Sequence, residues 1–287
     1  MRAHNHVENP LEYMIERVAM AGSDIRRAFT ARPERHAAAP PDIGHIGMAD
    51  VREALREGLH DLGVARTDVI FIALVYPLVG LVLARLAFSL NFLPLVFPLI
   101  SGFAILGPVA AVGLYAVSRK LESGQEVSFS TPFEVVRSPA LSSILGLGAV
   151  LGLVFLAWLA AAWGVYCVTL GPQPPTSAEA FLRDVFTTGP GWAMIMIGFA
   201  VGAVFAALTF AISAISFPML LDRDVGVAAA IRTSLHAVAY NPGTMVAWGF
   251  VISLALALGS LPALAGLIFV VPWLGHSTWH LYRKLVR

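Results

Sequence analysis

Charge is what this sequence has least of. Only 13% of its 287 residues are Asp, Glu, Lys or Arg, against roughly 25% in a soluble globular domain. Mean hydropathy is +0.76. Charges vanish from particular stretches, and those stretches are long enough to span a bilayer, which takes roughly 20 apolar residues. Net charge is +1, so the bulk basic character that nucleic-acid binding draws on is missing. The lone cysteine, Cys167, cannot close an internal disulfide, and compartment is not readable from it. Residues 1–67 hold no apolar core of the kind a secretory signal needs. Phosphate-loop, zinc-protease and nucleophile-elbow patterns (G-x-x-x-x-G-K-[ST], H-E-x-x-H, G-x-S-x-G) are absent. The polar segments are too small for a separate catalytic domain. No enzyme, no cofactor and no nucleic-acid partner is expected.

What is present falls into two parts. Residues 1–47 read as a peripheral segment. Leu11, Met14, Ile15, Val18 and Ile25 have helical spacing and predict an amphipathic helix over about 9–28. Ala31 to Gly44, with Pro33, Pro40 and Pro41, reads as a linker. Residues 48–287 read as a six-span membrane domain. It opens with a second amphipathic helix over 48–63, with Val51, Leu55, Leu59 and Leu62 on one face and Asp50, Arg52, Glu53, Arg56, Glu57 and Asp61 on the other. Spans are expected at 68–88, 93–116, 141–169, 191–220, 244–261 and 264–281. Asn91 and Pro94 mark the first turn, and Pro262 the last. Gly171, Pro172, Pro174 and Pro175 open a polar loop after the third span. Pro77, Pro98, Pro108, Pro218 and Pro272 fall within or near spans, where neighbouring helices can satisfy the freed carbonyls. Kinks are expected there.

Orientation follows from the basic residues. Seventeen of the nineteen Lys and Arg lie on one side, only Arg183 lies on the other, and Arg85 falls inside the first span. Both termini are expected in the cytoplasm. The layout is that of three hairpins, preceded by polar or amphipathic helices at 48–63, 131–137 and 226–239. Each returning span carries a proline: Pro108, Pro218 or Pro272. Gly146, Gly148, Gly152, Gly198 and Gly202 make small-x-x-x-small spacings that suit close helix contact.

Few residues invite chemistry. His276 and His280 share a helix face four residues apart. Two imidazoles so placed can ligate a metal or sit near a haem. Their neighbours Trp279, Tyr282, Arg283 and Lys284 favour an anchor in the headgroup zone instead. Arg85 is the one charge within a span, a functional suspect by default, but close enough to the outer end to snorkel. Asp222, Asp224, Glu122 and Glu126 read as a solvated face. The spans otherwise lack ionisable residues at depth, which argues against coupled transport.

The run Gly107-Pro108-Val109-Ala110-Ala111-Val112-Gly113-Leu114-Tyr115, continuing into Ser118-Arg119-Lys120-Leu121-Glu122-Ser123-Gly124, resembles the signature of a bacterial family of predicted integral membrane proteins of unknown function. The ending Pro272-Trp273-Leu274-Gly275-His276-Ser277-Thr278-Trp279-His280-Leu281-Tyr282-Arg283 resembles that family's terminus. The resemblance runs from about residue 45 onward and implies a helical fold in a bacterial inner membrane. Some members of that family are labelled cytochrome c oxidase subunits. The large oxidase subunit keeps several histidines within its spans, and here none lies deep in one. The fourth-to-sixth span layout is more loosely similar to membrane domains attached to some glycerophosphodiesterases. The resemblance implies no catalytic residues.

Three functions are ranked on these grounds. The first is a non-enzymatic accessory, assembly or organising component with a membrane-protein partner or as a homo-oligomer. The second is a transporter or lipid-handling protein, and the third a haem or metal accessory to a respiratory complex.

Overall fold

The computed structural model describes residues 41–65, 90–261 and 265–287. The expected helix at 9–28, most of the linker, the first span with Pro77 and Arg85, and Pro262 lie outside the described residues. Within them the chain is all helix, apart from an isolated antiparallel bridge between Ile43 and Val286.

In chain order the described elements are α1 (Met48–Val64), the 3-10 helix η1 (Leu90–Leu95), α2 (Val96–Ala110), α3 (Val112–Glu122) and the 3-10 helix η2 (Thr131–Arg137). Then come α4 (Leu141–Thr169), α5 (Ala178–Thr187), α6 (Gly189–Ser213), α7 (Ser216–Asp222), α8 (Val227–Tyr240), α9 (Pro242–Ser260) and α10 (Leu267–Leu285). Three stretches are long and apolar enough to cross a membrane: Leu141–Thr169, Gly189–Asp222 and Pro242–Ser260. Their flanks stay uncovered by protein, with Leu153, Val204 and Phe250 among the exposed side chains. Such surface in water costs about 25 cal/mol per Å²; in hydrocarbon it costs nothing.

Proline acts differently at each site. After Pro108 the helical ladder lapses only at Ala111, whose φ of −73° and ψ of −11° remain helical, so α2 kinks into α3. Between α6 and α7 the chain breaks at Ile215, with φ −126° and ψ −2°, ahead of Pro218. α10 runs unbroken through Pro272. The carbonyl of Pro98 accepts the indole N–H of Trp158 at 3.0 Å, a neighbouring helix satisfying a backbone group at a helix start.

The polar loop after α4 contains a helix that the sequence reading left unassigned. Ser177 caps α5, its Oγ accepting from the N–H of Ala180 at 3.0 Å. The glycine stripe is used in part. Gly202 lies against Trp158 and Gly148 faces Val109, whereas Gly152 and Gly198 face open space.

Much of the buried core gathers at one end of the molecule, and it extends along α4 through Leu147, Leu151, Trp158 and Ala162. Three inner segments, α3, α7 and the C-terminal half of α10, touch one another at that end. Each carries one outer helix: α1 packs on α10, η2 on α3, and α8 on α7. Phe217, Leu114, Tyr115, Met219, Trp279, Tyr282 and Leu285 fill the centre. The chain around Gly44 closes the same end. The Gly44 N–H donates to the Leu285 carbonyl at 2.8 Å. Asn241 Nδ2 donates to the Gly44 carbonyl at 3.1 Å, and its Oδ1 accepts from the Ile46 N–H at 3.0 Å. The described part of the expected peripheral segment, residues 41–47, is thus stitched to both α8 and the C-terminus.

Candidate functional site

The face that α1 buries overlaps the expected leucine face at Val51, with Leu55 and Leu62 half-buried, but centres on small residues. Val51, Ala54, Gly58 and Asp61 are covered, while Leu59 is 58% exposed. Small residues win because α10 approaches closely. A Cβ on Gly58 would stand 2.2 Å from Ser277 Oγ and 2.5 Å from its backbone nitrogen. Asp61, expected on the solvated face, is drawn in at 5% exposure.

A carboxylate buried in this way needs hydrogen-bond donors. Two other helices supply them. From α3, the Ser118 hydroxyl donates to Asp61 Oδ2 at 2.6 Å. From α10, His280 Nε2 lies 2.8 Å from the same oxygen, and its Nδ1 lies 3.5 Å from Glu57 Oε2. His276 Nδ1 lies 2.7 Å from Ser118 Oγ. A hydroxyl has one proton, and here it goes to the carboxylate. Its oxygen therefore accepts from His276, which puts the proton on Nδ1. Burial alone would push the Asp61 carboxyl up. The hydrogen bonds from His280 and Ser118, with the nearby imidazoles, outweigh it and hold the group below its ordinary value.

His276 and Trp279 are therefore not headgroup anchors, as their position near the chain end suggests. Both are 0% exposed, and Tyr282 is covered with them. The reason is tertiary: α1 lies across the last turns of α10. The carboxylates beside them are also taken up. Glu122 accepts from Trp279 Nε1 at 3.0 Å and from Arg283 Nε at 2.9 Å. Asp222 accepts from the Tyr282 hydroxyl at 2.7 Å. Burial and the Asp222 carboxylate push the Tyr282 phenol up. Glu122, Glu126 and Asp224 keep the exposure expected of all four, and Asp222 is half-buried.

The residue types are those of a Ser-His-Asp triad, but the wiring is not. In a triad the imidazole stands between serine and carboxylate. Here Ser118 gives its own proton to the carboxylate and is 0% exposed, so it is neither activated nor reachable. An open cleft of about 440 Å³ lies beside the cluster, lined by residues that include Glu57, His60, Asp61, Glu122, His280 and Arg283. Among the described residues no group of three or more His, Cys, Asp or Glu is arranged to hold a metal ion. His276 Nδ1 and His280 Nε2 point at Ser118 and Asp61. Sequence reasoning missed Asp61 and Ser118. The available signal was Asp61 continuing the Val51, Ala54, Gly58 spacing of small buried residues.

Long apolar helices meeting at a packed polar end define an integral membrane protein. Residues 96–222 match the family described as "Predicted integral membrane protein (DUF2189)", a family of unknown function. The match ends at residue 222 and does not reach the C-terminus. The Pro272–Arg283 ending, expected to belong to the resemblance, lies outside it. No curated protein and no solved structure matches the chain.

Proposed function

We propose that this chain is a non-enzymatic accessory, assembly or organising component of a bacterial inner membrane. Its domain has six spans in three hairpins, with both termini in the cytoplasm. One observation carries the reading. The groups best suited to chemistry, Asp61, Ser118, His276 and His280, are bonded to one another across three chain-distant helices. They hold the packed end together.

The packing supports the hairpin layout, since three inner segments each bear one outer helix. It also supports the sidedness. α1 and the end of α10 share one end of the molecule, together with Arg119, Lys120, Arg283 and Lys284. The uncovered flanks of α4, α6 and α9 leave wide apolar surface for lipid or for a membrane-protein partner.

The test is affinity capture at native expression in mild detergent. A stoichiometric membrane-protein partner is the expected result. Recovery of the chain alone, as monomer or homo-oligomer, would overturn the accessory role. Kinked helices favour transport or lipid handling as the second reading. Its mark would be substrate-dependent flux or lipid transfer in proteoliposomes, which the accessory reading does not produce.

A further inference from the structure

The outer helices share more than a layout. Val51-Arg52-Glu53-Ala54-Leu55-Arg56-Glu57-Gly58-Leu59-His60-Asp61 aligns without gaps on Val227-Ala228-Ala229-Ala230-Ile231-Arg232-Thr233-Ser234-Leu235-His236-Ala237. Val, Ala, Arg, Leu and His recur at five of the eleven positions. The two helices also bury and expose the same positions, apart from Glu57 against Thr233. The 3-10 helix η2 fits the same frame. Pro132 and Val135 are buried where α1 buries Val51 and Ala54, and Arg137 is exposed where α1 exposes Arg56.

The inner segments repeat as well. Arg119-Lys120-Leu121 stands eleven residues after Pro108, and Arg283-Lys284-Leu285 eleven after Pro272. The ion pairs respect the frame. Lys284 Nζ binds Glu53 at 2.9 Å on α1, and Lys120 Nζ binds Glu134 at 2.8 Å on η2. Glu53 and Glu134 occupy the same place in the repeat, as do the two lysines.

Repetition inside one chain separates two kinds of constraint. The recurring Val51/Val227 and Ala54/Ala230 are buried, and packing explains them. Arg56/Arg232, Leu59/Leu235 and His60/His236 are exposed, so packing does not. Arginine stands at this position in all three outer helices. None of the three makes an ion pair among the described residues, whereas Glu53, Glu57 and Glu134 pair with lysines. Beside each arginine lies an uncovered aliphatic side chain: Leu59, Val136 or Leu235. Leu59 and Leu235 follow their arginines by three residues, on the same helix face. Arg137 and Arg232 also precede long apolar helices by four and ten residues.

We propose that Arg56, Arg137 and Arg232 are three equivalent contacts for the phosphates of anionic phospholipid headgroups. The neighbouring aliphatic side chains reach into the acyl boundary. A guanidinium suits a phosphate by its planar pair of donors, and the paired aliphatic suits the headgroup–acyl boundary. The inference rests on the reading that the outer helices lie where the spans enter the leaflet.

The test uses the full-length protein in detergent, given equimolar phosphatidylglycerol and phosphatidylcholine and read by native mass spectrometry. The wild type is expected to retain phosphatidylglycerol preferentially. Each of Arg56→Gln, Arg137→Gln and Arg232→Gln should weaken that retention about fivefold, the worth of one basic residue at an anionic surface. The triple variant should lose the preference, and the corresponding Lys variants should keep most of it. Arg183→Gln is the control, since Arg183 already pairs with Glu179 at 2.8 Å. All the arginines concerned are exposed, and circular dichroism confirms that each variant is folded. A folded triple variant with the wild-type preference would overturn the proposal. So would an effect confined to one arginine, or stripping of the lipid by millimolar inorganic phosphate, which would make free phosphate the ligand. Failure of the membrane reading looks different: the wild type would stay dispersed without detergent.

Discussion

Asp61 shows how a single side chain can be read wrongly from spacing and rightly from its partners. On a helical wheel it sits among charges. In the fold it accepts from Ser118 and His280 and ties α1 to α3 and α10. Its carboxyl is held below the ordinary value of 3.8. A depressed folded-state value stabilises the fold above the unfolded value, and that stability is lost as pH falls through the folded one. The melting temperatures of the wild type and Asp61→Asn should therefore differ by a constant gap above about pH 5. Below about pH 4 the gap should shrink. Charged hydrogen bonds of this kind contribute on the order of 2 kcal/mol. A gap that does not change between pH 6 and the acid limit of the protein would remove Asp61 from this role.

Helices bury what their neighbours allow, and α1 illustrates it. Leu55, Leu59 and Leu62 outrank Ala54 and Gly58 in hydrophobicity, yet the alanine and the glycine face α10. Gly58→Ala should push the two helices apart, at about 1–3 kcal/mol for an overpacked contact. A lowered melting temperature in detergent would register it. Gly63→Ala is the comparison, because a Cβ there meets nothing within 4 Å; it should be neutral or slightly stabilising, as alanine is the better helix former. At the far end of α4, Ser177 caps the short α5. Ser177→Ala should cost about 1 kcal/mol of local stability, visible as faster amide exchange over residues 178–187 and nowhere else.

For the molecule as a whole the reading is one packed polar end and one end given over to lipid. Cys167 is the only cysteine, so its replacement by serine gives a clean background for topology. A cysteine at Ser123, in the turn after α3, should react with an impermeant thiol reagent only from the cytoplasmic face. One at Thr176, in the loop after α4, should react only from the opposite face. Labelling of both from one side would break the orientation of the spans.

Composition decided much of this protein before any packing was known. A bilayer-length run without charge has only one use for its backbone groups, which is to bond them within a helix. Residues 141–169 were legible on that basis, and they are α4 to the residue. The repeated outer helix was also legible, as Val-x-x-Ala-[Leu/Ile]-Arg-x-[Gly/Ser]-Leu-His, though layout alone does not reveal it. The candidate site was only half legible. His276 and His280 stood out as an i, i+4 pair, whereas their partners Asp61 and Ser118 are 215 and 158 residues away from His276 in the chain. No local pattern pairs groups so distant. The tertiary fold decided that pairing because α1, α3 and α10 approach closely at one end, and a carboxylate enclosed there must find its donors among whatever those helices bring.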